Sequence, residues 1–428
     1  MVFKNQIEHR PTIAYCTGCL NVIPAVSVAF HTIKKMPKET NIAEEYVRVV
    51  NDNLFLREFT FTENELKTKD NQEVELADNI VWLDEILLLI QVKWRNPKNI
   101  GTEEQEIKWF KNKVLNVAKG QIKSTIKYFE DTTNFEIENG RGFKVNLFDA
   151  PVSNSRKLII YLPSEKLPER EKFIKFYDSK DVGLIHLFNF EDYKWICQYL
   201  ITPFEIVRYL DFREVANDLF GNDINLIPEQ LLLGKFLSGE DIFKIDPKYI
   251  EFLDSFEEDI SEFDVSALLQ KFYSKTIKQN LQTDYIPIVK EIAKLSRFEL
   301  REFKIRHLLS VEKSKSAEYT IPYRIVFPRT GIGFVFIPIP FGDKNFADNW
   351  QNALKNFTYA HKYEQRLKKC IGVITFRYEN SDDYLEMYSM LIDATWVKDE
   401  LMDKSLKENF PFREVEQQML GEYKFKKK

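Results

Sequence analysis

Four cysteines, Cys16, Cys19, Cys197 and Cys370, are too few and too scattered across 428 residues to form the disulfide framework of a small secreted protein. Reduced thiols are expected. Five histidines and the lack of any Gly-x-Ser-x-Gly elbow leave little support for a hydrolase acting through Ser or Cys. No Gly-x-x-x-x-Gly-Lys-Ser/Thr signature occurs, so a nucleotide motor would have to be a separate subunit. The apolar stretch near the start, Val22 to Phe30, is interrupted by Pro24 and falls far short of the roughly 20 residues that span a bilayer. Glu8, His9 and Arg10 precede it without the region order of a signal peptide. The expectation is a soluble cytoplasmic protein with no membrane partner. Cys16-Thr17-Gly18-Cys19 has the spacing of half a zinc site, with His9 and His31 flanking it, but no second cysteine pair completes it. A tight turn at Gly18 between small thiols accounts for the same spacing.

What the chain does have is a globular composition. Charged residues make up 30% and hydrophobic ones 44%, enough apolar side chains, 35 Phe among them, to build a large core. A net charge of −5 argues against a wholly basic surface, whereas nucleic-acid binding needs only a local basic face.

Apolar spacing predicts a helix over 41–57, a strand at Phe59–Thr62, strands over 73–83 and 86–94, and a long helix over 103–130. That helix carries its stripe at Ile107, Phe110, Val114, Val117, Ala118, Ile122, Ile126 and Phe129. Strands follow at 157–162 and 182–188, which with the helices demands a mixed sheet. Residues 190–310 read as mostly helical, at 193–220, 229–237 and 285–309. Two strands at 323–327 and 333–337, a helix over 346–366 and a strand over 370–376 then repeat the element order of 73–162. The expected organisation is an N-terminal extension (1–40), a sheet domain (41–190), a helical region (191–315) and a smaller C-terminal α/β domain (316–428).

The most informative stretch is a hairpin. If the loop is Asp84-Glu85, facing residues have numbers summing to 169, so Asp78 stands opposite Gln91 and Lys93 is its diagonal neighbour. A loop one residue longer or shorter would send Asp78 to the other face. In this register an acid, an amide and a lysine converge on strands that are otherwise apolar. Such a set suits a hard cation held against a phosphodiester; its structural alternative is a buried ion pair capped by an amide.

With an Asp in one strand, Gln91-Val92-Lys93 at the end of the next, and a long helix after them, residues 41–162 resemble the PD-(D/E)xK nuclease superfamily. The Gln-x-Lys form is similar to the Mrr-like branch of restriction enzymes. Ala77 stands where the superfamily name has Pro. The resemblance implies an α/β fold with a restriction-endonuclease-like mixed sheet flanked by helices, followed here by the helical middle and the second, smaller α/β domain. It implies a Mg²⁺-dependent DNA endonuclease, with Mn²⁺ able to substitute, in bacterial restriction or anti-phage defence. Asp78 would supply a carboxylate, Gln91 an amide oxygen and Val92 its backbone carbonyl to the metal, while Lys93 acts on the attacking water or the developing charge. The alternative is a catalytically inactive nuclease-fold protein that binds DNA or a protein partner. The resemblance leaves open a homodimer and a separate defence-system subunit.

One carboxylate is few for a metal site. Glu58, at the junction of the first helix and first strand, matches the position of an additional acid in many family members; Glu75, three residues from Asp78, would point to the opposite face. Gln121 lies near the apolar stripe of the long helix, where related nucleases carry a Lys or Gln that reaches the active site, or else it is a helix-edge glutamine. The same helix carries Lys108, Lys111, Lys113, Lys119, Lys123 and Lys127. Lys111, Lys119 and Lys123 are the candidates for neutralising DNA phosphates; the alternative is an ordinary solvated face.

Overall fold

The computed structural model describes residues 42–51, 57–62, 64–67, 73–132, 135–240, 242, 245–275, 283–343, 349–378 and 385–414. The N-terminal extension, with Cys16, Cys19 and both flanking histidines, lies outside them.

Helix α1 (Ile42–Asn51) leads to strands β1 (Thr60–Phe61), β2 (Glu65–Lys67) and β3 (Glu73–Glu75), then to the hairpin β4 (Asn79–Leu83) and β5 (Ile86–Trp94). A continuous helix follows, made of α2 (Glu103–Trp109), a π-helical stretch Phe110–Val117, and α3 (Ala118–Asp131). After it come β6 (Glu136–Glu138), β7 (Lys144–Asn146), β8 (Arg156–Leu162), the short α4 (Glu169–Lys172), β9 (Phe176–Ser179) and β10 (Gly183–Asn189). The principal sheet has the order β1-β4-β5-β8-β10-β9. Strand β5 pairs antiparallel with β4 and parallel with β8, the long helix forming the crossover. The class is α/β, as the pattern of elements predicts.

β5 is buried on both faces because it is central. Val81, Leu83, Ile86, Leu88, Ile90 and Val92 point to one side, into the core shared with α1. Ile80, Trp82, Leu87 and Leu89 point to the other, which the C-terminal end of α3 covers through Phe129. By the two-residue alternation, Gln91 and Lys93 belong to that second side.

The long helix departs from its expected period. The Ala118 N–H bonds to the Lys113 carbonyl, five residues back, so the stretch before it is wound wider than an α-helix. In consequence Ala118 is buried while Val117, expected in the stripe, is 42% exposed.

The middle of the chain forms α5 (Phe190–Tyr199), α6 (Pro203–Phe220), α7 (Glu229–Ser238), α8 (Lys248–Phe263), α9 (Ser266–Lys275), α10 (Ile286–Ala293) and α11 (Arg297–Lys313). Two expected helices are each split by a capping device: Thr202 caps α6 ahead of Pro203, and Ser296 with Glu299 forms a capping box that starts α11. The second sheet, β11 (Tyr323–Phe327), β12 (Ile332–Pro338), β13 (Lys369–Arg377) and β14 (Leu385–Asp393), is packed by α12 (Trp350–Glu364) and α13 (Glu400–Glu408). The regions expected at 41–190, 191–315 and 316–428 share one continuous core, which joins Leu88 and Ile160 of the first sheet to Phe334 and Val373 of the second through the helices between them. Asp84 in the β4–β5 turn is bonded to Lys290 of α10 and to Lys294 at its C-terminal cap, and Lys369 of β13 to Glu291 of the same helix.

The unit of hairpin, crossover helix and parallel strand occurs twice, with α12 in the second place. Five residues back from the hairpin end, where the first copy puts Asp78 against Gln91, the second register continues to Pro322 against Ile337, with Ile339 in the place of Lys93.

Candidate active site

The hairpin has the two-residue loop expected, with Asp84 in the left-handed region (φ 48°). Asn79 faces Ile90 and Leu83 faces Ile86, so the position numbers sum to 169 throughout. The single strand expected over 73–83 is broken, however: β3 ends at Glu75, and β4 starts only at Asn79. The cause lies in Asp78. Its Oδ2 accepts the Val92 backbone N–H at 2.6 Å, the bond that a continued ladder would direct to Ala77 across the sheet. The Thr125 hydroxyl of α3 donates to the Leu76 carbonyl, occupying a second backbone group of the same irregular segment.

Breaking β4 here leaves the end of β5 open on that side, and Lys93 fills the opening. Its Nζ donates to the Val92 carbonyl at 2.8 Å, to Gln91 Oε1 at 3.3 Å and to Asp78 Oδ2 at 3.4 Å. The three donors of the ammonium thus have three oxygens: one carboxylate, one amide and one carbonyl. Gln91 and the Asp78 side chain are buried, and the Lys93 side chain is only 15% exposed. Groups this costly to bury persist when they satisfy one another. All three oxygens are hard donors converging on a point already held by a positive charge, a set that fits Mg²⁺ or Mn²⁺ with water and phosphate completing the coordination.

Glu58 is not part of this cluster. The β1–β4 register, Thr60 facing Val81, directs Glu58 toward Leu83 at the turn end of the hairpin, about 17 Å along the strand from Asp78 at ~3.4 Å per residue. Its carboxylate is buried against Arg57 at 3.3 Å, the Tyr285 hydroxyl at 3.3 Å and Arg141 at 3.8 Å. Burial and the Glu58 charge together hold the Tyr285 hydroxyl well above the usual phenol range. Two arginines and a tyrosine make Glu58 a structural tie, a role its place in the sequence does not reveal. The side chain of Glu75 lies outside the described residues.

Gln121 is exposed, one helical turn before Thr125 and on the same face, which approaches the Leu76–Asp78 segment. Lys111 is exposed as well. Lys119 and Lys123 both reach Asp181 in the β9–β10 turn, at 3.6 and 2.8 Å, so two of the three candidate phosphate-binding lysines are paired within the chain.

What the sequence reading misses is the clamp beside Lys93. Glu106, completely buried near the start of α2, holds Arg95 through both carboxylate oxygens (2.8–3.1 Å) and accepts bonds from Ser164 Oγ at 2.7 Å and the Gly101 N–H at 2.9 Å. These partners, Arg95 foremost and against the opposing effect of burial, bring its pKa down to about 2. The clamp fixes the beginning of the crossover helix to the end of β5 and engages Arg95. A signal is present: Glu106 stands four residues before Phe110, at the head of the row Phe110, Val114, Ala118 and Ile122, all buried.

A second set of buried charges joins α6 and α7 to β10. Arg213 donates to Glu229 at 3.1 Å and to the Leu187 carbonyl of β10 at 3.3 Å, Lys175 lies 3.3 Å from the same carboxylate, and Tyr209 donates to it. One acid is thus shared among two cations and a phenol.

Among the described residues, no group of three or more His, Cys, Asp or Glu side chains is arranged to hold a metal, and no helix is long and apolar enough to cross a membrane. No family model, curated protein or solved structure matches this chain.

Proposed function

We propose that this chain is a metal-dependent DNA endonuclease acting in bacterial restriction or anti-phage defence, with Asp78, Gln91, Val92 and Lys93 at its centre. One observation carries the reading: four groups that ordinary strand chemistry would keep apart or exclude converge at the end of a central strand, where its neighbour has broken off. A bound divalent cation would polarise the phosphoryl group and acidify a water. Asp78 Oδ2, Gln91 Oε1 and the Val92 carbonyl are the groups to hold it. Lys93 is the donor that would orient the attacking water and stabilise the negative charge developing on phosphorus-bound oxygen. Gln121, exposed over the same segment, is suited to a substrate contact from the helix side.

A second reading, a nuclease fold retained only for binding DNA or a protein, is favoured by the single carboxylate of the cluster, since Glu58 is engaged elsewhere. Metal-dependent cleavage of DNA by the wild-type protein, lost on Lys93→Ala, supports the enzyme. Asp78-independent DNA binding without cleavage supports the second reading.

A further inference from the structure

We infer that Lys93 is a displaceable internal cation, which occupies the metal-binding oxygens until a divalent ion expels it and thereby couples metal entry to the capture of an anionic substrate. This rests on the proposed function and concerns the regulation of the same site.

The ammonium sits on the very oxygens that a divalent ion would use: Asp78 Oδ2 at 3.4 Å, Gln91 Oε1 at 3.3 Å and the Val92 carbonyl at 2.8 Å. A magnesium ion requires its oxygens at about 2.0–2.1 Å, leaving no room for a nitrogen cation among them. Charge points the same way. Asp78 contributes the one carboxylate of the cluster, and Lys93 already neutralises it, so ion entry replaces one cation by another rather than adding to it.

Where the displaced ammonium goes is constrained by its neighbours. The adjacent acid, Glu106, is saturated by Arg95, Ser164 and the Gly101 N–H. Arg95, held by Glu106, does not compete for Asp78. The lysine stem is flexible and the side chain is partly exposed, so the released head turns toward solvent, where a phosphodiester is the counter-charge it would meet. Metal and nucleic acid then each strengthen the binding of the other, and the coupling is reciprocal.

The test is calorimetric titration with Mn²⁺ of wild type, Lys93→Met, Lys93→Ala and Asp78→Asn proteins, with and without a short duplex. Removing the internal cation is expected to tighten Mn²⁺ binding about tenfold in both Lys93 variants, and to weaken the enhancement that duplex gives to metal binding. Asp78→Asn is expected to abolish the site. Equal or weaker Mn²⁺ binding by both Lys93 variants overturns the inference; if the wild type still cuts DNA with metal, the nuclease reading survives that result. Tighter binding in the variants together with a wild type that never cuts sustains the displacement and removes the nuclease. No Mn²⁺ binding by any of the proteins overturns both.

Discussion

Asp78 accepts the backbone N–H of Val92 at 2.6 Å, standing in for a strand that begins two residues short of the Ala77 position this pairing requires. A single carboxylate thus completes the sheet and faces Lys93 at the same time.

The two duties separate by substitution. Asp78→Ala leaves the buried Val92 N–H without its acceptor and is expected to cost about 1–3 kcal/mol of stability. Asp78→Asn retains an acceptor oxygen, so it loses less stability while removing the charge. Urea unfolding of both variants checks this; equal destabilisation would show that the backbone bond is not what Asp78 contributes to folding.

Acid should loosen the crossover helix through Glu106. Its folded pKa of about 2 lies below its ordinary value near 4.5, so its stabilisation is complete above about pH 4.5 and is lost as the pH falls toward 2. Glu106→Gln breaks a buried pair, and about 3 kcal/mol of stability should be missing at pH 7. Unfolding free energies measured across pH 7 to 2 should show the gap between wild type and variant narrowing at the acid end.

The lysines of the long helix are expected to contribute modestly to DNA affinity, because Lys119 and Lys123 must first leave Asp181. Replacing Lys111, Lys119 and Lys123 together by Ala should flatten the slope of log affinity against log salt by at most ~3, near 0.9 per phosphate contact. Asp181→Asn should raise affinity by freeing two of them. A salt slope unchanged by the triple variant would place the DNA on another face.

The second sheet repeats the hairpin, helix and parallel strand but carries Pro322, Ile337 and Ile339 at the places of Asp78, Gln91 and Lys93. None of these three side chains can hold a metal ion or donate a proton, so the second copy supplies no second centre among the described residues. Supercoiled plasmid should pass through nicked circles before linear product, with linearisation rising steeply with protein concentration. Direct linearisation at the lowest active concentration would contradict this.

The hairpin register is legible in the sequence because turn length and alternation leave few choices once both strands are apolar, and the same arithmetic places Asp78 beside Gln91 and Lys93. The break after Glu75 is not legible: Leu76 and Ala77 read as strand, and only the side-chain bond from Asp78 to Val92 shows why the ladder stops. Glu58 misleads for the opposite reason, since its local position fits while its partners, Arg141 and Tyr285, come from distant parts of the chain. The π-helical winding around Lys113 carries no distinct mark in an apolar stripe spaced by threes and fours, so the pattern assigns both Val117 and Ala118 to the core, where Ala118 lies and Val117 does not.

The most direct measurement is cleavage of supercoiled and linear DNA, methylated and unmethylated, by wild-type and Lys93→Ala proteins in Mg²⁺, Mn²⁺ or EDTA. Cutting by the wild type is expected with either metal, none in EDTA, and a loss of at least about a hundredfold in the variant. Undiminished metal-dependent cutting by Lys93→Ala would contradict that expectation.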